Sequence, residues 1–327
     1  MHILIIGAAG MIGVKLTNRL IKDQGLAGKP IDAVTLVDVV EPAKPAGAPF
    51  AVTTKAADLS VPETAADLVA GRPDVIFHLA AIVSGEAEAD FEKGYRINLD
   101  GTRYLFEAIR KVGDGYKPRV VFTSSIAVFG APFPDAIPDE FHHTPLTSYG
   151  AQKAIDELLL ADYTRRGFMD GIGIRLPTIC VRPGKPNKAA SGFFSGIIRE
   201  PLAGQEAILP VGEDVRHWHA SPRSAVNFLV HAAEIDGAEV GPRRNLSMPG
   251  VSVTVGEQIA ALRKVAGDDV AKRIRYEPDP VIVGIVAGWP RNFAPVRAPA
   301  LGFKAEQSFE EIIRIHIEDE LGGTWVK

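Results

Sequence analysis

The chain has 327 residues, of which 46% are hydrophobic and 23% are charged, and its formal net charge at pH 7 is -4. This composition excludes a disordered or fibrous chain and is typical of a globular protein with one large or two smaller domains. The 36 lysines and arginines form no dense basic block, so neither nucleic acid nor an anionic membrane is expected as a partner. We therefore expect a small-molecule ligand.

The cysteine content and the apolar segments bear on the cellular compartment. Cys180 is the only cysteine, so no internal disulfide can form, and its apolar surroundings favour a buried side chain over a reactive thiol. The apolar N-terminal stretch contains glycines and lacks a basic leader, which favours a buried strand and turn over a signal peptide. Later apolar runs are too short to span a bilayer. These features predict a cytoplasmic protein.

The first half of the chain alternates between strand-like and helix-like segments. The strand-like segments are HILIIG, AVTLVD, DVIFHLAA, RVVFTSS and GIGIRLP, and the longest helical patterns between them are MIGVKLTNRLIKD, NLDGTRYLFEAIRKV and YGAQKAIDELLLADYTRRG. Because these strands are apolar on both faces, the alternation predicts a parallel sheet covered by helices. We expect an α/β fold with a doubly wound, Rossmann-type sheet.

The alternation fails after Pro177, where segments rich in proline and glycine surround shorter elements. Two further helix patterns, VGEQIAALRKVAG and FEEIIRIHIEDEL, follow in this part of the chain. A smaller, irregular C-terminal domain for the substrate is the simplest account. The expected boundaries are 1–176 with a returning segment near 222–248 for the Rossmann domain, and 177–221 and 249–327 for the substrate domain.

Three glycines, Gly7, Gly10 and Gly13, stand between the first strand and the first helix. Gly7 allows a tight turn, Gly10 lets the backbone approach a pyrophosphate, and Gly13 lets the helix pack closely on the strand. The spacing is GxxGxxG rather than the usual GxGxxG, and packing alone could also require glycines. The strand before them and the helix after them favour dinucleotide binding, and we assign Met11 and Ile12 to the same site.

Two aspartates are candidates for the adenosine end of a cofactor. Asp38 ends the second strand, where a carboxylate can accept hydrogen bonds from ribose hydroxyls and would repel a 2'-phosphate. This favours NAD over NADP, although aspartate is also common in strand-to-loop turns. Asp58 either accepts a hydrogen bond from the adenine amino group or opens the helix that begins at Pro62.

Tyr149 precedes Lys153 by four residues at the start of a helical pattern, so the two share one helix face. A tyrosine has a pKa near ~10 and is a poor base at neutral pH. A lysine ammonium one turn away, together with a positive nicotinamide ring, would favour the phenolate and make Tyr149 a general base. The ordinary alternative is a tyrosine on a core-facing stripe beside a solvated lysine.

Ser124 and Ser125 end a predicted strand, at the sheet edge where the cofactor is expected. A hydroxyl group there can hold a substrate oxygen against Tyr149, although serines at strand ends are also frequent in loops. The glycine motif, these serines, Tyr149 and Lys153 together favour an enzyme more strongly than any of them does alone.

In this order, the motifs resemble those of the extended short-chain dehydrogenase/reductase family, also called the NAD-dependent epimerase/dehydratase family. The matching pieces are GAAGMIG, Asp38, ADL at 57–59, HLAA at 78–81, NLDGT at 98–102, TSSIAVFG, Tyr149 with Lys153, RLPTICVRPG and DVRHWHASPRSAV, and they run to about residue 235. Two pieces depart from the family pattern: Phe129 replaces a usual tyrosine, and RHWHASPR replaces the common RDFVHVDD type of segment.

The resemblance implies roles for individual residues. Ser125 is expected to be the catalytic hydroxyl, Tyr149 the acid/base and Lys153 the residue that holds the nicotinamide ribose. Asn98 is expected near the active site, although a polar residue that bends a helix is the alternative. The other cofactor contacts that the resemblance implies are Asp58, Leu59, Leu79, Ala80, Ala81, Asn98, Ser124, Tyr149 and Pro177.

Part of the sequence looks like a branch of the family that uses NAD to oxidise the 2-hydroxyl of a small sugar acid, such as D-erythronate to 2-oxo-erythronate. The carboxylate of such a substrate needs a counter-charge or a set of donors. Arg182 and Arg216 are the candidates, with Ser84 as a hydroxyl partner. A surface salt bridge is the common alternative for any single arginine.

Other functions and partners stay open at this point. A nucleotide-sugar 4-epimerase or dehydratase would retain its NAD, and a non-catalytic module would only sense NAD(P). His217 and His219 would share a strand face, but no third ligand stands at a useful spacing, so no metal is predicted. The resemblance implies a homodimer formed through the helices that contain Asn98 and Lys153.

Overall fold

The computed structural model describes residues 1–184 and 190–327. In chain order the strands are β1 (His2–Ile6), β2 (Gly25–Leu26), β3 (Lys29–Pro30), β4 (Ala33–Asp38), β5 (Ala51–Ala56), β6 (Val75–His78), β7 (Arg119–Ser125), β8 (Ile137–Pro138), β9 (Asp170–Leu176), β10 (Thr178–Ile179), β11 (Ala207–Leu209), β12 (Arg216–Ala220), β13 (Asn245–Ser247), β14 (Val251–Thr254), β15 (Ile274–Tyr276) and β16 (Phe293–Ala294).

The helices are α1 (Met11–Asp23), α2 (Pro62–Val69), α3 (Ser84–Ala89), α4 (Phe91–Gly94), α5 (Gly101–Val112), α6 (Ser148–Arg165), α7 (Gly192–Leu202), α8 (Pro222–Glu234), α9 (Gly237–Val240), α10 (Val255–Ala266), α11 (Asp268–Ala271), α12 (Pro280–Ala287), α13 (Arg297–Ala300) and α14 (Phe309–Leu321). A π-helical turn, Tyr95–Asp100, leads into α5, and a 3-10 turn, Ile126–Val128, follows β7.

The residues fall into two compact units. The first unit contains Met1–Val128, Thr147–Arg175 and Val226–Ser247, and the second contains Phe129–Leu146, Leu176–Ala225 and Met248–Lys327.

The first unit is built on a seven-stranded parallel sheet with the order β13-β9-β7-β6-β1-β4-β5. β1 pairs with β4 on one side and with β6 on the other, so the strand order reverses at β1. In doubly wound sheets the ligand lies beyond the carboxyl ends of the strands at such a point. The predicted α/β fold of the Rossmann type is confirmed.

The apolar strands explain this sheet. All four residues of β6 and four of the five residues of β1 are buried, as expected for strands that are covered on both faces. One side of the sheet packs against α2, α5 and α6 in a core that includes Leu68, Leu105, Phe106, Ile109 and Leu160. The edge strand β5 was not among the predicted strands, because its sequence AVTTKA is largely exposed and shows little apolar pattern.

The second unit contains a three-stranded sheet, β10-β12-β14, and the pairs β11-β15 and β8-β16. The two helices predicted in this part of the chain are confirmed as α10 and α14. A capping box explains where α10 begins: Thr254 accepts from the backbone N–H of Glu257, whose carboxylate accepts from the backbone N–H of Thr254. The core of this unit includes Phe194, Ile197, Leu262, Ile312 and Ile313.

Residues 129–146 belong to the second unit, whereas the expected boundaries kept them in the Rossmann domain. The physical reason is local pairing and packing. β8 pairs with β16, and the ring of Phe129 lies 5.9 Å from that of Phe293 and 5.7 Å from that of Phe141. Phe129, which departs from the usual tyrosine, is therefore buried in an aromatic cluster of the second unit.

Among the helices of the two described ranges, none has the length and apolar character needed to cross a membrane.

Candidate active site

The glycine turn, Gly7–Gly13, connects β1 to α1 and lies where the strand order reverses. Gly7 has φ +92°, and a Cβ on it would lie 2.7 Å from the backbone N of Ala80. A Cβ on Gly13 would lie 2.3 Å from the carbonyl O of Gly7. A Cβ on Gly10 would meet only the carbonyl O of Gly7, at 3.4 Å. Close packing therefore requires glycine at 7 and 13, whereas Gly10 keeps the exposed side of the turn free of side-chain atoms.

Gly10 is also the N-cap of α1, and no side chain caps this helix end. The first turn of α1 contains no acidic residue, and Met11 and Ile12 in it are half-buried. The backbone N–H groups of a first turn and the helix dipole attract anions. The turn therefore has the properties of a phosphate-binding site.

Asp38 ends β4 beside the glycine turn. Its carboxylate accepts hydrogen bonds from the backbone N–H of Ala9 at 3.0 Å and of Val39 at 2.8 Å. Each carboxylate oxygen has a second lone pair, and the residue is half-buried, so Asp38 retains capacity to accept from a ligand hydroxyl. The contact with Ala9 also fixes the glycine turn to the end of the second core strand.

Asp58 is partly exposed and accepts from both the backbone N–H and the hydroxyl of Ser60, at 2.9 and 2.7 Å. Burial alone would raise its pKa, but the Ser60 hydrogen bonds and the Arg96 guanidinium lower that pKa below its ordinary value. Leu59 is 7% exposed and its side chain packs in the core, so the expected contact with a cofactor would be made by its backbone and stays a prediction.

The segment after β6 contains the next expected contacts. The backbone N–H of Leu79 donates to the carbonyl of Ile6 at 2.8 Å, which fixes the segment beside the glycine turn. Leu79 and Ala80 are half-buried, Ala81 is exposed, and Ser84 is half-buried at the start of α3. These residues therefore lie on one continuous segment that leaves the sheet at its carboxyl edge.

Asn98 is 1% exposed, and its amide is used inside the protein. Its Oδ1 accepts from the backbone N–H of Ile82 at 2.9 Å, and its Nδ2 donates to the Gln152 Oε1 at 2.8 Å. A further contact joins Nδ2 to the carbonyl of Ile82 at 3.3 Å. Asn98 thus fastens the segment after β6 to α6, and its place in the cofactor site stays a prediction.

The two serines at the end of β7 face different surroundings. Ser125 is half-buried, and its hydroxyl accepts from the backbone N–H of Ala127 at 3.1 Å. Ser124 is 3% exposed and donates to Glu157 at 2.5 Å. A β-strand sends successive side chains to opposite faces, which explains the difference. Of the two hydroxyl groups, that of Ser125 is the more accessible to a ligand, and the expected cofactor contact of Ser124 stays a prediction.

Tyr149 and Lys153 lie in the first turns of α6, whose N-cap is Thr147; its hydroxyl accepts from the backbone N–H of Gly150. The Lys153 Nζ lies 6.0 Å from the centroid of the Tyr149 ring, and Tyr149 is half-buried. Lys153 is 2% exposed and donates to the carbonyl of Thr123, in β7, at 3.0 Å. The alternative of a solvated lysine is therefore wrong: the ammonium is held inside the unit, beside the tyrosine ring.

The surroundings of Lys153 set its charge state. Burial lowers its pKa to about 8, and the negative charges of Asp156 and Glu157 oppose that effect. The Lys153 Nζ also lies 4.6 Å from the centroid of the Phe122 ring. At neutral pH an ammonium held in this way is a fixed positive charge that favours the ionised form of a nearby phenol.

The α6 polar face, formed by Gln152, Lys153, Asp156 and Glu157, was not anticipated. All four are buried, whereas Ile155 and Leu158 on the same helix are 37% and 63% exposed. The apolar run of α6 gives no sign of this arrangement, because it predicts burial of its leucines instead.

Glu157 is balanced by a strand residue. Arg175, in β9, donates to its carboxylate through Nη2 at 2.7 Å and through Nε at 2.9 Å, and both residues are almost completely buried. A paired arrangement with two guanidinium donors is the geometry in which such burial is tolerated. Neither residue was assigned a role from the sequence, although both lie within the predicted elements.

His78 is a further buried residue that the sequence analysis left without a role. It ends β6, and its Nε2 lies 2.9 Å from the hydroxyl of Thr102, which donates to the carbonyl of Asn98 at 2.6 Å. His78 must therefore be the donor to Thr102, which places its proton on Nε2. Burial, followed by the positive charge of Lys153, lowers the pKa of His78 to about 3.

The remaining candidates lie in the second unit. Pro177 is buried. The Arg182 guanidinium donates to the carbonyl of Ile179 and to the Ser191 hydroxyl, at 3.0 and 3.1 Å. Arg216 donates to the carbonyl of Ser252 at 2.9 Å and pairs with Glu257 at 3.1 Å. Both arginines thus have partners within their own unit.

His217 and His219 share one face of β12, as expected, but both are engaged by neutral groups. The His217 ring lies 2.7 Å from both the Thr178 hydroxyl and the Pro290 carbonyl, and the His219 Nε2 lies 3.0 Å from the Gln258 amide. In the described part of the chain, no three histidine, cysteine, aspartate or glutamate side chains come together as metal ligands.

Comparisons with known proteins agree with this architecture. Residues 3–236 match the model of the NAD dependent epimerase/dehydratase family. The chain is 48% identical to a D-erythronate dehydrogenase of Cupriavidus necator over 324 residues, which covers 98% of each protein. It is 41% identical to a D-erythronate dehydrogenase of Haemophilus influenzae over 321 residues, which covers 98% of this chain and 100% of the relative.

A crystal structure of a protein described as a nucleoside-diphosphate-sugar epimerase, from Agrobacterium tumefaciens, has a TM-score of 0.97 and 71% sequence identity. The match covers 99% of this chain and 95% of that protein. The expectations of an NAD-dependent oxidoreductase and of NAD as its cofactor are confirmed. With well over half of its length matched by the family model, the chain belongs to the NAD dependent epimerase/dehydratase family.

Proposed function

We propose that the protein is a dehydrogenase that oxidises the 2-hydroxyl of D-erythronate, with NAD, to 2-oxo-erythronate. The observation that carries the choice of substrate is the similarity, over nearly the full length of the chain, to two D-erythronate dehydrogenases from different bacteria. We assign NAD binding to residues of the first unit.

The residues of the first unit fit NAD. The glycine turn presents backbone N–H groups and a helix N-terminus without an acidic side chain, which suits a pyrophosphate. Asp38 suits a ribose diol, since its carboxylate keeps acceptor capacity and would repel a 2'-phosphate. The Lys153 ammonium has three N–H groups, of which one donates to Thr123, so it can also hold a ribose hydroxyl. When bound, NAD would accept the hydride.

The chain's own residues supply the proton transfer. We assign Tyr149 as the base that takes the proton of the substrate hydroxyl, and Ser125 as the donor that steadies the same oxygen. Lys153 raises the fraction of Tyr149 in the phenolate form through its buried positive charge. Ser84, on the segment after β6, is the proposed partner for a further substrate hydroxyl.

For the substrate carboxylate we propose Arg182 or Arg216. Because each already has a partner, its guanidinium would donate to the acid in exchange for Ser191 or Glu257. Loss of a hydrogen bond to a charged group costs about 1.5–3 kcal/mol, so one of the two alanine variants should raise KM for the acid about 10- to 100-fold. NAD affinity should not change. Equal KM values in Arg182→Ala, Arg216→Ala and the unchanged protein would contradict the assignment.

A nucleotide-sugar 4-epimerase is the competing function, and the name of the A. tumefaciens protein favours it. The two are distinguished by incubating the protein with NAD and a panel of aldonates and UDP-sugars. We expect continuous formation of free NADH with D-erythronate, and a product that reacts with a carbonyl reagent. Interconversion of UDP-sugars without net NADH would establish the epimerase. Binding of NAD without turnover of any compound would favour a sensing module.

We also propose a homodimer formed through α6 and the helices near it. Leu158 and Phe91 are 63% and 59% exposed, and Ile155 on α6 is 37% exposed, which suits a surface covered by a second copy. Light scattering should give twice the mass of the chain, and Leu158→Glu should give the mass of a monomer. A monomer mass for the unchanged protein would contradict the proposal.

A further inference from the structure

Of the four side chains of the α6 polar face, Asp156 is the one whose burial should cost the most free energy. It is 0% exposed, and in the described residues neither of its carboxylate oxygens has a hydrogen-bond partner. A hydrogen bond from the Thr102 hydroxyl would favour the ionised form of Asp156. That hydroxyl, however, already donates to the carbonyl of Asn98. A buried carboxyl group without donors destabilises a fold, so an amide or an apolar side chain at this position would be expected to cost less.

Among the charged groups considered around Asp156, Lys153 is the one that can serve as its opposite charge. It lies three residues after Lys153 on the same helix, and residues at this spacing are neighbours on a helix surface. Glu157, the other buried anion of α6, is paired with Arg175 from β9. His78, from β6, is buried and neutral, since its pKa is lowered to about 3. In the described part of the chain, Lys153 and Asp156 therefore remain the ionisable members of the α6 polar face without an ion-pair partner from another element.

We propose that Asp156 is a positioning residue for the reaction, which acts as the internal counter-charge that keeps Lys153 protonated beside Tyr149. The inference rests on the proposed function for its catalytic consequence. The pair holds one proton between its two sites: in the active form Lys153 carries it as an ammonium and Asp156 is a carboxylate. Transfer of that proton to Asp156 leaves a neutral amine and a neutral acid, and Tyr149 loses the charge that favours its phenolate.

The electrostatic environment supports this pairing. Burial lowers the pKa of Lys153, and the negative charge of Asp156 opposes this effect. Burial raises the pKa of Asp156 well above its ordinary value, and the positive charge of Lys153 opposes that effect without cancelling it. Each group is thus the main stabiliser of the charged form of the other.

The first experiment measures the pH dependence of kcat/KM in Asp156→Asn, which keeps the shape of the side chain and removes its charge. Without the carboxylate, Lys153 should lose its proton at lower pH, so the alkaline limb should move down by about one pH unit or more. Asp156→Glu, which restores a carboxylate, should keep the limb of the unchanged protein. Asp162→Asn is the matched control, because Asp162 lies on the same helix but is 58% exposed and pairs with Arg165. Identical alkaline limbs in all four proteins would overturn the proposal.

The second experiment does not depend on the substrate. Thermal unfolding is compared for the unchanged protein, Lys153→Met, Asp156→Asn and the double variant, a cycle that isolates the interaction of the two residues. Lys153→Met should lower the unfolding midpoint by several degrees, because it leaves the Asp156 carboxyl without a counter-charge. Adding Asp156→Asn to it should restore most of the loss. If the changes in unfolding midpoint of the two single variants add up in the double variant, the pairing of Lys153 and Asp156 is overturned. If they do not add up, but the protein turns over no aldonate, the pairing stands and the proposed function alone is overturned.

Discussion

The glycine turn and the α6 polar face lie in the same unit, but they depend on opposite properties of their side chains. The glycine turn works by excluding side chains: a Cβ at Gly7 or Gly13 would overlap backbone atoms. The α6 polar face works by burying charged side chains, which costs free energy unless each charge has a partner. The conformation of the glycine turn is therefore fixed by volume, and that of the α6 polar face by charge. Substitutions that add atoms should therefore affect the first, and changes of charge or pH should affect the second.

The largest expected effect separates chemistry from structure on α6. Tyr149→Phe removes only the phenol oxygen, so the proposed base is lost while the charges of the polar face remain. We expect kcat to fall by about 10²- to 10⁴-fold, the usual contribution of a general base, with NAD affinity and the unfolding midpoint unchanged. Tyr163→Phe, on the same helix, is the control, because the Tyr163 hydroxyl donates to Glu107. Steady-state kinetics and NAD titration measure both variants.

The next prediction tests whether volume fixes the glycine turn. Gly7→Ala places a Cβ 2.7 Å from the backbone N of Ala80 at φ +92°, so we expect a loss of about 2 kcal/mol or more in the free energy of unfolding. Gly10→Ala meets only one atom at 3.4 Å and should fold normally, but its methyl group would occupy the exposed side of the turn and weaken NAD binding. Urea unfolding and NAD titration distinguish the two. Equal stability of both variants would contradict the packing argument.

The smallest effect concerns pH. His78 is buried and neutral, with a pKa lowered to about 3, whereas an unfolded histidine titrates near ~6.5. Between these values the unfolded chain binds more protons, so the stability that His78 contributes is complete above about pH 6.5 and is lost as the pH falls, by up to ~1.4 kcal/mol per pH unit. His78→Gln should reduce this slope, and His142→Gln, at an exposed position, is the control. Urea unfolding at several pH values measures the slopes, and equal slopes in both variants would contradict the assignment.

The same contrast explains what could be predicted from the sequence. The glycine turn, the ends of the core strands and the positions of Tyr149 and Lys153 follow from patterns with one steric or periodic solution. The burial of Asp156 and Glu157 does not, because an apolar run predicts that its leucines are buried, and Leu158 is exposed instead. Tertiary partners decide such a case: Arg175 lies on a strand 18 residues from Glu157 in sequence.

Asn98 and Ser124 illustrate a second limit. Their motifs placed them near the active site, and they lie on the expected elements. Which way each side chain faces depends on neighbours that the motif does not contain: Gln152 for Asn98 and Glu157 for Ser124. A motif therefore predicts which segment of the chain to consider, whereas the direction of each side chain depends on the packing of α6 against that segment.

In the proposed mechanism, the buried ammonium of Lys153 brings the Tyr149 phenol into its ionised form at working pH. Ultraviolet titration of the NAD complex, with the signal of Tyr149→Phe subtracted, observes that phenolate directly. The account predicts that the phenolate of the unchanged protein appears well below the pH at which it appears in Lys153→Met. Each protein is titrated at a saturating NAD concentration, because Lys153→Met should bind NAD more weakly than the parent. A phenolate signal at the same pH with and without the Lys153 ammonium would contradict the claim.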